Sequence, residues 1–320
     1  YPPIKGGIAQ YNEFLARELA NVSDIYIFSY KKQYPKALLG GREQLDDSYS
    51  FLNSKNISIN FTINSVNPLS WLKTIKTIKT ITPDLVILPW WVIYWAPMYL
   101  VMISSFRLLK IKTLLLCHNV FEHEENNFKR AISKLVLKIP DYYLVHTESE
   151  KRKLLPLIGG KKYIQHLHPL YHFSASPLKQ CSPKETKSEL NLLFFGFVRD
   201  YKGLDILLEA LKLLSSNKIN LKIVGEFWTT KSDYQAYIDA ESISGITIID
   251  RYISDKEIAF YFNEADVVVL PYRSATGSGV IATSYGYGKP VLVTNVDNFT
   301  LILSIYDSVF IVEPTASGLA

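Results

Sequence analysis

Short apolar runs alternate with amphipathic stretches along the whole chain. Each run has the length of a strand and is rich in β-branched or aromatic residues, whereas the stretches between them repeat their apolar positions every three or four residues. This pattern predicts strands that alternate with helices. The predicted strands cover residues 24–30, 57–63, 84–90, 112–119, 141–148, 163–169, 191–197, 220–226, 246–251, 266–272, 290–296 and 308–314.

The predicted strands are apolar along their length, which is typical of parallel sheets covered by helices on both faces. One polar stretch, which contains Pro177 and Pro183, interrupts the alternation. We therefore expect an α/β protein of two doubly wound, Rossmann-like domains that face each other across a cleft. The first domain is placed at residues 1–173, a linker at 174–190 and the second domain at 191–320.

Residues 85–106 carry no charge and are long enough for a membrane-spanning helix. Pro89 and Pro97 favour another interpretation, because proline interrupts helices and often stands at their first turn. We predict a strand, a tryptophan-rich loop and a helix that begins near Pro97.

The formal net charge of +5 is unevenly distributed. Residues 1–180 hold 23 Lys and Arg against 13 Asp and Glu, a net charge of +10, whereas residues 181–320 have a net charge of −5. A basic half indicates either an anionic partner or only a solvated face. Of the anionic partners, we expect a membrane surface and not nucleic acid.

A lysine-rich segment at residues 70–81 suggests how a membrane would be contacted. On a helix, it sets Trp71, Ile75 and Ile78 beside Lys73, Lys76 and Lys79. Such a helix can lie in the headgroup region of an anionic membrane, which is the interpretation that we favour. The alternative is that the apolar stripe packs on the sheet and the lysines are only solvated.

The cysteines and histidines indicate no resident metal. The two cysteines, Cys117 and Cys181, have no disulfide or zinc spacing, which favours a reducing, cytoplasmic location. Several histidines and glutamates lie between residues 118 and 168, but HExxH and CxxC motifs are absent. No GxSxG motif supplies a nucleophilic serine. We expect neither a metal nor another cofactor.

Four clusters fall where this fold places the carboxyl ends of strands. Gly6 and Gly7 precede a predicted helix, and His118 follows an apolar strand. A third cluster has Arg199 and Lys202 at a strand-to-helix turn, where two cations suit a diphosphate. The last is the loop at 276–279, whose backbone amides at a helix start also suit phosphate.

Together these segments resemble the family-4 retaining glycosyltransferases of GT-B fold, and the resemblance covers essentially the whole chain. The motifs that carry it are YPPIKGGIAQYNEFLARELA, HNVFEHE, GFVRDYKGLDILLEALKLL and ISDKEIAFYFNEADVVVLPYRSATGSGVIATSYGYGKPVLVTN. The resemblance implies that a first strand precedes Tyr1 and that further helices follow Ala320.

The resemblance also implies roles for individual residues. The diphosphate of a nucleotide sugar would lie against Arg199, Lys202 and nearby backbone amides, and His118 would meet the transferred sugar. The predicted catalytic residues are thus His118, Arg199 and Lys202. Donor-binding residues would include those near the phosphates and two near the nucleotide base: Gly6, Gly7, Glu226, Ile253, Thr276, Gly277, Ser278, Gly279 and Thr283.

One departure from the family concerns two positions at which many members carry glutamate. They align here with Ala275 and Thr283, so neither supplies a carboxylate to the donor sugar or the ribose. Thr283 keeps a hydroxyl, whereas Ala275 keeps no polar group.

The implied activity is transfer of a sugar from a nucleotide-diphosphate donor to a glycan or lipid-linked acceptor, with retention of configuration and without a protein nucleophile or metal. We expect it on the cytoplasmic side, with peripheral attachment to the inner face of the membrane. Two alternatives remain: a catalytically silent nucleotide-sugar-binding or scaffold protein, and a nucleotide-sugar epimerase of similar fold.

Overall fold

The computed structural model consists of two compact units, Tyr1–Leu167 and His168–Ala320. Of the predicted linker at 174–190, all but the last two residues lie outside the described part of the chain. The structure describes residues 1–39, 43–47, 49, 56–122, 126–169, 189–214, 218–275, 278–296 and 308–320.

Strands and helices alternate as the hydrophobic pattern predicts, and all the predicted strands are present with ends that differ by a few residues. The strands are β1 (Ile25–Lys32), β2 (Ile57–Asn64), β3 (Leu85–Trp90), β4 (Lys112–Cys117), β5 (Tyr142–Val145), β6 (Lys162–Gln165), β7 (Leu190–Phe195), β8 (Ile219–Val224), β9 (Ile246–Ile249), β10 (Val267–Leu270), β11 (Val291–Thr294) and β12 (Val309–Val312). The helices are α1 (Gly7–Leu19), α2 (Pro68–Ile81), α3 (Ala96–Leu108), α4 (Asn127–Leu137), α5 (Glu148–Leu154), α6 (Leu204–Leu214), α7 (Lys231–Ala240), α8 (Asp255–Glu264), α9 (Gly279–Gly286) and α10 (Ala316–Leu319).

The N-terminal unit holds its strands in two parallel sheets and not in the single sheet that a doubly wound domain predicts. One sheet pairs β1 with β2, and the other has the order β3-β4-β5-β6. In the described residues, β1 and β3 make no hydrogen-bonded ladder with each other. The strand expected before Tyr1 stays a prediction.

The uncharged segment at 85–106 is divided as its prolines predict. It forms β3, a short 3₁₀ turn at Ile93–Trp95 and the helix α3. Trp95, Ile103 and Phe106 are fully buried in the core of this unit, which explains why the helix is apolar on most of its surface. Within the described residues, no helix combines the length and the hydropathy that crossing a membrane requires.

The helix α2 corrects the interpretation that its apolar stripe enters a membrane. Trp71, Ile75 and Ile78 are buried in the core, while the three lysines of the helix face solvent. The Trp71 indole also donates a hydrogen bond to the carbonyl of Asn64, at the end of β2. The favoured interpretation was therefore wrong, and the alternative, a stripe packed inside the protein beside solvated lysines, is confirmed.

The C-terminal unit is one six-stranded parallel sheet with the order β12-β11-β10-β7-β8-β9. Its first strand, β7, lies in the middle. The chain winds outward through β8 and β9 and then returns to the other side of β7 as β10. The direction of winding thus reverses between β7 and β10, which is where open α/β sheets bind ligands at their carboxyl ends.

Candidate functional site

The turn that follows β7 is held against the end of β10 by direct backbone contact. Arg199 precedes a short 3₁₀ turn, Asp200–Lys202, and Gly203 then adopts a left-handed conformation with φ +66° before α6 begins. A Cβ atom added at Gly203 would lie 2.0 Å from the carbonyl oxygen of Pro271. Only glycine fits there, because any side chain would strain the backbone and clash with Pro271.

This close packing places the Lys202 side chain inside the protein. The residue is 7% exposed, and its Nζ lies 5.5 Å from the centre of the Tyr272 ring. The same Nζ would be 3.0 Å from a Cβ atom added at Gly196, so glycine leaves the room that the ammonium occupies. Burial and, secondarily, the charge of Arg199 lower the pKa of Lys202 to about 7.

Lys202 has no carboxylate partner among the residues that the structure describes. A buried ammonium without a counter-ion is costly, and its cost falls when an anion binds. The charge of Arg199 adds to the local positive potential. The turn can therefore stabilise a bound anion such as a phosphate.

The start of α9 lies beside this ammonium. Ser278 is the N-cap residue and Gly279 is the first residue of the helix. The side chain of Val280, one residue further, would be 3.7 Å from the same added Cβ at Gly196. The structure thus brings Lys202 and the positive end of the α9 dipole together at the switch point. Thr276 and Gly277, the first half of the predicted loop, lie outside the described residues.

The two positions that align with glutamates in many family-4 glycosyltransferases are buried. Ala275 is 6% exposed and belongs to the apolar core. Thr283 is 5% exposed, and its hydroxyl donates a 2.9 Å hydrogen bond to the carbonyl of Gly279 within α9. The hydroxyl proton of Thr283 is therefore already used inside the helix, and its role at the donor stays a prediction.

The residues predicted near the nucleotide base lie at the carboxyl ends of β8 and β9. Glu226 follows β8, and its backbone carbonyl accepts a 2.9 Å hydrogen bond from the amide of Val198. Ile253 follows β9 and is 4% exposed, with its side chain in the core. A contact of Ile253 with a base would therefore use its backbone atoms.

The predicted residues of the N-terminal unit form a second group. Gly6 caps α1 with φ +120°, and no atom lies within 4 Å of a Cβ added at Gly7, so the start of this helix is open to approach. His118 follows β4, and its ring stands edge-on to the ring of Tyr11 in α1, with 4.8 Å between the ring centres. The structure thus places His118 beside the helix that the glycines begin.

The His118 ring has a second aromatic neighbour, His146, which follows β5 at a distance of 5.7 Å between ring centres. His146 is buried, and its Nδ1 lies 2.8 Å from the carbonyl oxygen of His166. Burial is the main cause that lowers the pKa of His146, so this ring stays neutral near pH 7.

Several residues that shape the turn at Asp200–Lys202 were not predicted from the sequence. Arg273 makes a bidentate ion pair with Asp205 and donates a 2.9 Å hydrogen bond to the carbonyl of Asp200, which ties the end of β10 to the turn. Tyr272 packs under the Lys202 ammonium, and Trp228 lies under the Arg199 guanidinium. The one available signal was a tryptophan two residues after the end of the predicted strand at 220–226, in the segment Gly225-Glu226-Phe227-Trp228.

Metal and thiol chemistry have no evident support in the described part of the chain. No group of three or more His, Cys, Asp or Glu side chains there is arranged to hold a metal ion. Burial raises the pKa of the Cys117 thiol, with a further contribution from Glu150, which disfavours the reactive thiolate.

Comparison with known structures identifies the fold. The sucrose-phosphate synthase of Thermosynechococcus elongatus superposes with a TM-score of 0.70 over 98% of this chain and 82% of that one, at 15% identity. The Anabaena protein HepE, solved in complex with UDP and glucose, gives a TM-score of 0.70 over 98% and 84% of the chains, at 13% identity. This chain has the GT-B fold. Residues 189–320 of the GT-B chain also match the family described as glycosyl transferases group 1.

Curated relatives are similar to part of this GT-B chain. An uncharacterised 41.2 kDa protein of the cps region of Klebsiella pneumoniae is 29% identical over 128 residues, which are 40% of this chain and 34% of that protein. A GDP-mannose:glycolipid 4-beta-D-mannosyltransferase of Xanthomonas campestris is 28% identical over 101 residues, or 32% and 29% of the two chains. The matches thus span about a third of the length of these relatives.

Proposed function

We propose that this chain is a glycosyltransferase that moves a sugar from a nucleotide-diphosphate donor to a glycan or lipid-linked acceptor, with retention of configuration. The observation that carries the proposal is the buried Lys202 ammonium beside the start of α9, at the switch point of the C-terminal sheet. A dry cationic position next to a helix N-terminus suits the diphosphate of such a donor. The match of residues 189–320 to glycosyl transferases group 1 points to the same chemistry.

The chemical contribution of this position would be electrostatic. Negative charge develops on the diphosphate as the bond to the sugar breaks, and fixed cations and amides stabilise that charge most strongly where water is excluded. Lys202 and Arg199 supply the cations, and the first turn of α9 supplies backbone amides around Ser278 and Gly279. Retention requires the acceptor to attack the sugar from the face that the diphosphate leaves. This direct transfer needs no nucleophile from the protein.

Roles in the N-terminal unit belong to the same proposal. His118, held by Tyr11 and His146, would act on the transferred sugar during turnover. The acceptor would be a glycan or a lipid-linked glycan, as the name of the Xanthomonas relative, a glycolipid mannosyltransferase, also suggests. The net charge of +10 over residues 1–180 favours an acceptor presented at the anionic inner face of a membrane, without insertion of the α2 stripe.

One observation favours a second candidate, a catalytically silent protein that binds nucleotide sugars. Ala275 and Thr283 are buried and supply no carboxylate where many members of the family carry glutamate. Such a protein would bind the donor at the same position and release no nucleotide.

A turnover assay distinguishes the two candidates. The chain is incubated with a panel of UDP-, GDP-, ADP- and dTDP-sugars, with and without a crude glycolipid extract, and nucleoside diphosphate release is measured. Release that depends on the extract and is lost in Lys202→Ala supports the transferase. Donor binding without release in any combination refutes it and favours the silent protein.

A further inference from the structure

The guanidinium of Arg199 is stacked on an aromatic ring that comes from the neighbouring loop. Its central carbon lies 4.4 Å from the ring centre of Trp228, within the range of a cation–π interaction. Arg199 is exposed, whereas Trp228 is half-buried. A long exposed arginine samples many rotamers, so a contact with an aromatic ring restricts where its charge can be.

The Trp228 ring is itself held by backbone pairing between the two loops. The amide of Val198 donates to the carbonyl of Glu226, and the amide of Trp228 donates to the carbonyl of Val198, each at 2.9 Å. These bonds extend the parallel pairing of β7 and β8 beyond the ends of both strands. The residues that precede Arg199 and Trp228 are therefore fixed relative to each other.

Two further contacts fix the same region. Gly225 has φ +147°, and a Cβ atom added there would lie 2.1 Å from the carbonyl oxygen of Gly196, so the two loops touch at their origin. The ring of Phe197 packs against Trp228 with 5.5 Å between ring centres. The indole is thus a firm support and not a loose surface side chain.

Electrostatic repulsion explains why Arg199 needs a support. After burial, its charge is the second cause that lowers the pKa of the Lys202 amine, so the two cations repel each other. Without an attractive contact, the exposed guanidinium would turn toward solvent and away from Lys202. The face of an indole offers such attraction without adding a negative charge that would compete with a bound phosphate.

We propose that Trp228 is a positioning residue that holds Arg199 for the donor diphosphate. The inference rests on the proposed function, because it assumes that Arg199 contacts a nucleotide diphosphate. In this role, Trp228 increases the affinity that the second phosphate of the donor adds to binding, and it does not bind the base. Loss of the ring should therefore act only while Arg199 is present.

Titration calorimetry on the full chain tests this role with GDP and UDP and with the matching monophosphates. We expect Trp228→Leu to lower the affinity for the better-binding diphosphate about three- to thirtyfold, which is the range that a cation–π contact supplies. The affinity for the matching monophosphate should change by no more than about twofold. Trp228→Phe, which keeps a ring, should retain most of the diphosphate affinity. In the Arg199→Ala background, Trp228→Leu should cost less than about twofold.

The control is Arg251→Ala, which removes an arginine of the same unit that pairs with Glu257, and it should leave the ratio of diphosphate to monophosphate affinity unchanged. Additive losses of affinity in the double variant would overturn the positioning role. An equal loss of monophosphate affinity in Trp228→Leu would also overturn it, and would favour stacking of Trp228 on the base. A parent chain that binds no diphosphate at all would refute the proposed function instead, and with it the role of Arg199.

Discussion

Replacing Lys202 with methionine should stabilise the protein while removing a cation of the proposed donor site. The folded-state pKa of Lys202 is about 7, against 10.5 for the free side chain, so folding disfavours the charged form. Each pKa unit corresponds to about 1.4 kcal/mol, which makes the penalty at pH 7 about 4 kcal/mol at most. Methionine fills a similar volume without a charge and avoids this penalty.

The sign of the pH dependence follows from the direction of this pKa shift. Below pH 7 the amine is protonated in both the folded and the unfolded state, so the full penalty is present. Between pH 7 and about 10.5 the folded protein has lost the proton while the unfolded chain still binds it, and the penalty shrinks as pH rises. The stability difference between Lys202→Met and the parent should therefore be largest near pH 6 and small at pH 10.

Urea unfolding of the ligand-free protein at pH 6, 7, 9 and 10 measures this difference. We expect Lys202→Met to raise the free energy of unfolding at pH 7 by about 2 to 4 kcal/mol. The matched control is Lys289→Met. Lys289 is equally buried, but its Nζ donates to the carbonyls of Asn263 and Ala265 at 3.1 and 2.9 Å. Its loss leaves buried carbonyls without a donor and should destabilise the protein by about 1 to 3 kcal/mol.

A Lys202→Met variant no more stable than the parent at pH 7, or a gain in stability that is the same at pH 6 and pH 10, would contradict this prediction. Either result would mean that the ammonium is not penalised by burial. A gain in stability together with lost nucleotide affinity would instead show that the protein gives up stability at this position for binding.

Three further predictions concern the same two groups of residues. Affinity for a nucleoside diphosphate should fall by up to about tenfold per pH unit as pH rises above 7, because Lys202 must then take up a proton on binding. Calorimetry in buffers of different ionisation enthalpy should detect that proton uptake. If no proton is taken up, binding is not coupled to protonation of Lys202. His118→Ala should leave nucleotide affinity nearly intact and lower turnover, and an equal loss of both would favour a purely structural histidine. Gly203→Ala should lower the free energy of unfolding in urea by more than about 2 kcal/mol. The control Gly288→Ala should lower it by only about 1 kcal/mol, because Gly288 has a similar φ of +63° but no atom within 4 Å of the added Cβ. Equal losses of stability would mean that the Pro271 backbone can move to make room for the methyl group.

The alternation of strands and helices could be predicted because it depends on local patterns. Parallel strands that are covered on both faces read as continuous apolar runs, and Pro89 and Pro97 divide the longest uncharged segment where β3 and α3 require it. The position of Arg199 and Lys202 beyond the carboxyl end of β7 could also be predicted, since both follow a predicted strand directly. Such features can be predicted from the local sequence, without knowledge of which segments pack against each other.

Features that depend on contacts between distant segments could not be predicted. An apolar stripe such as Trp71, Ile75 and Ile78 looks the same whether it faces a core or a membrane, so α2 was misinterpreted. The burial of Lys202 results from its approach to Tyr272, some 70 positions away in the chain, and no local pattern reports it. The stacking of Arg199 on Trp228 likewise depends on pairing between two loops.

The backbone contact between Gly203 and Pro271 makes the loops after β7 and β10 a single mechanical unit. A one-residue insertion or deletion between Arg199 and Gly203 would displace the backbone at Pro271 together with the Lys202 side chain. Change in this part of the protein is therefore confined to side-chain replacement at constant loop length. Under the proposed function, Ala275 and Thr283 are positions of that kind, at which a side chain can alter donor preference while the backbone at Gly203 and Pro271 stays as it is.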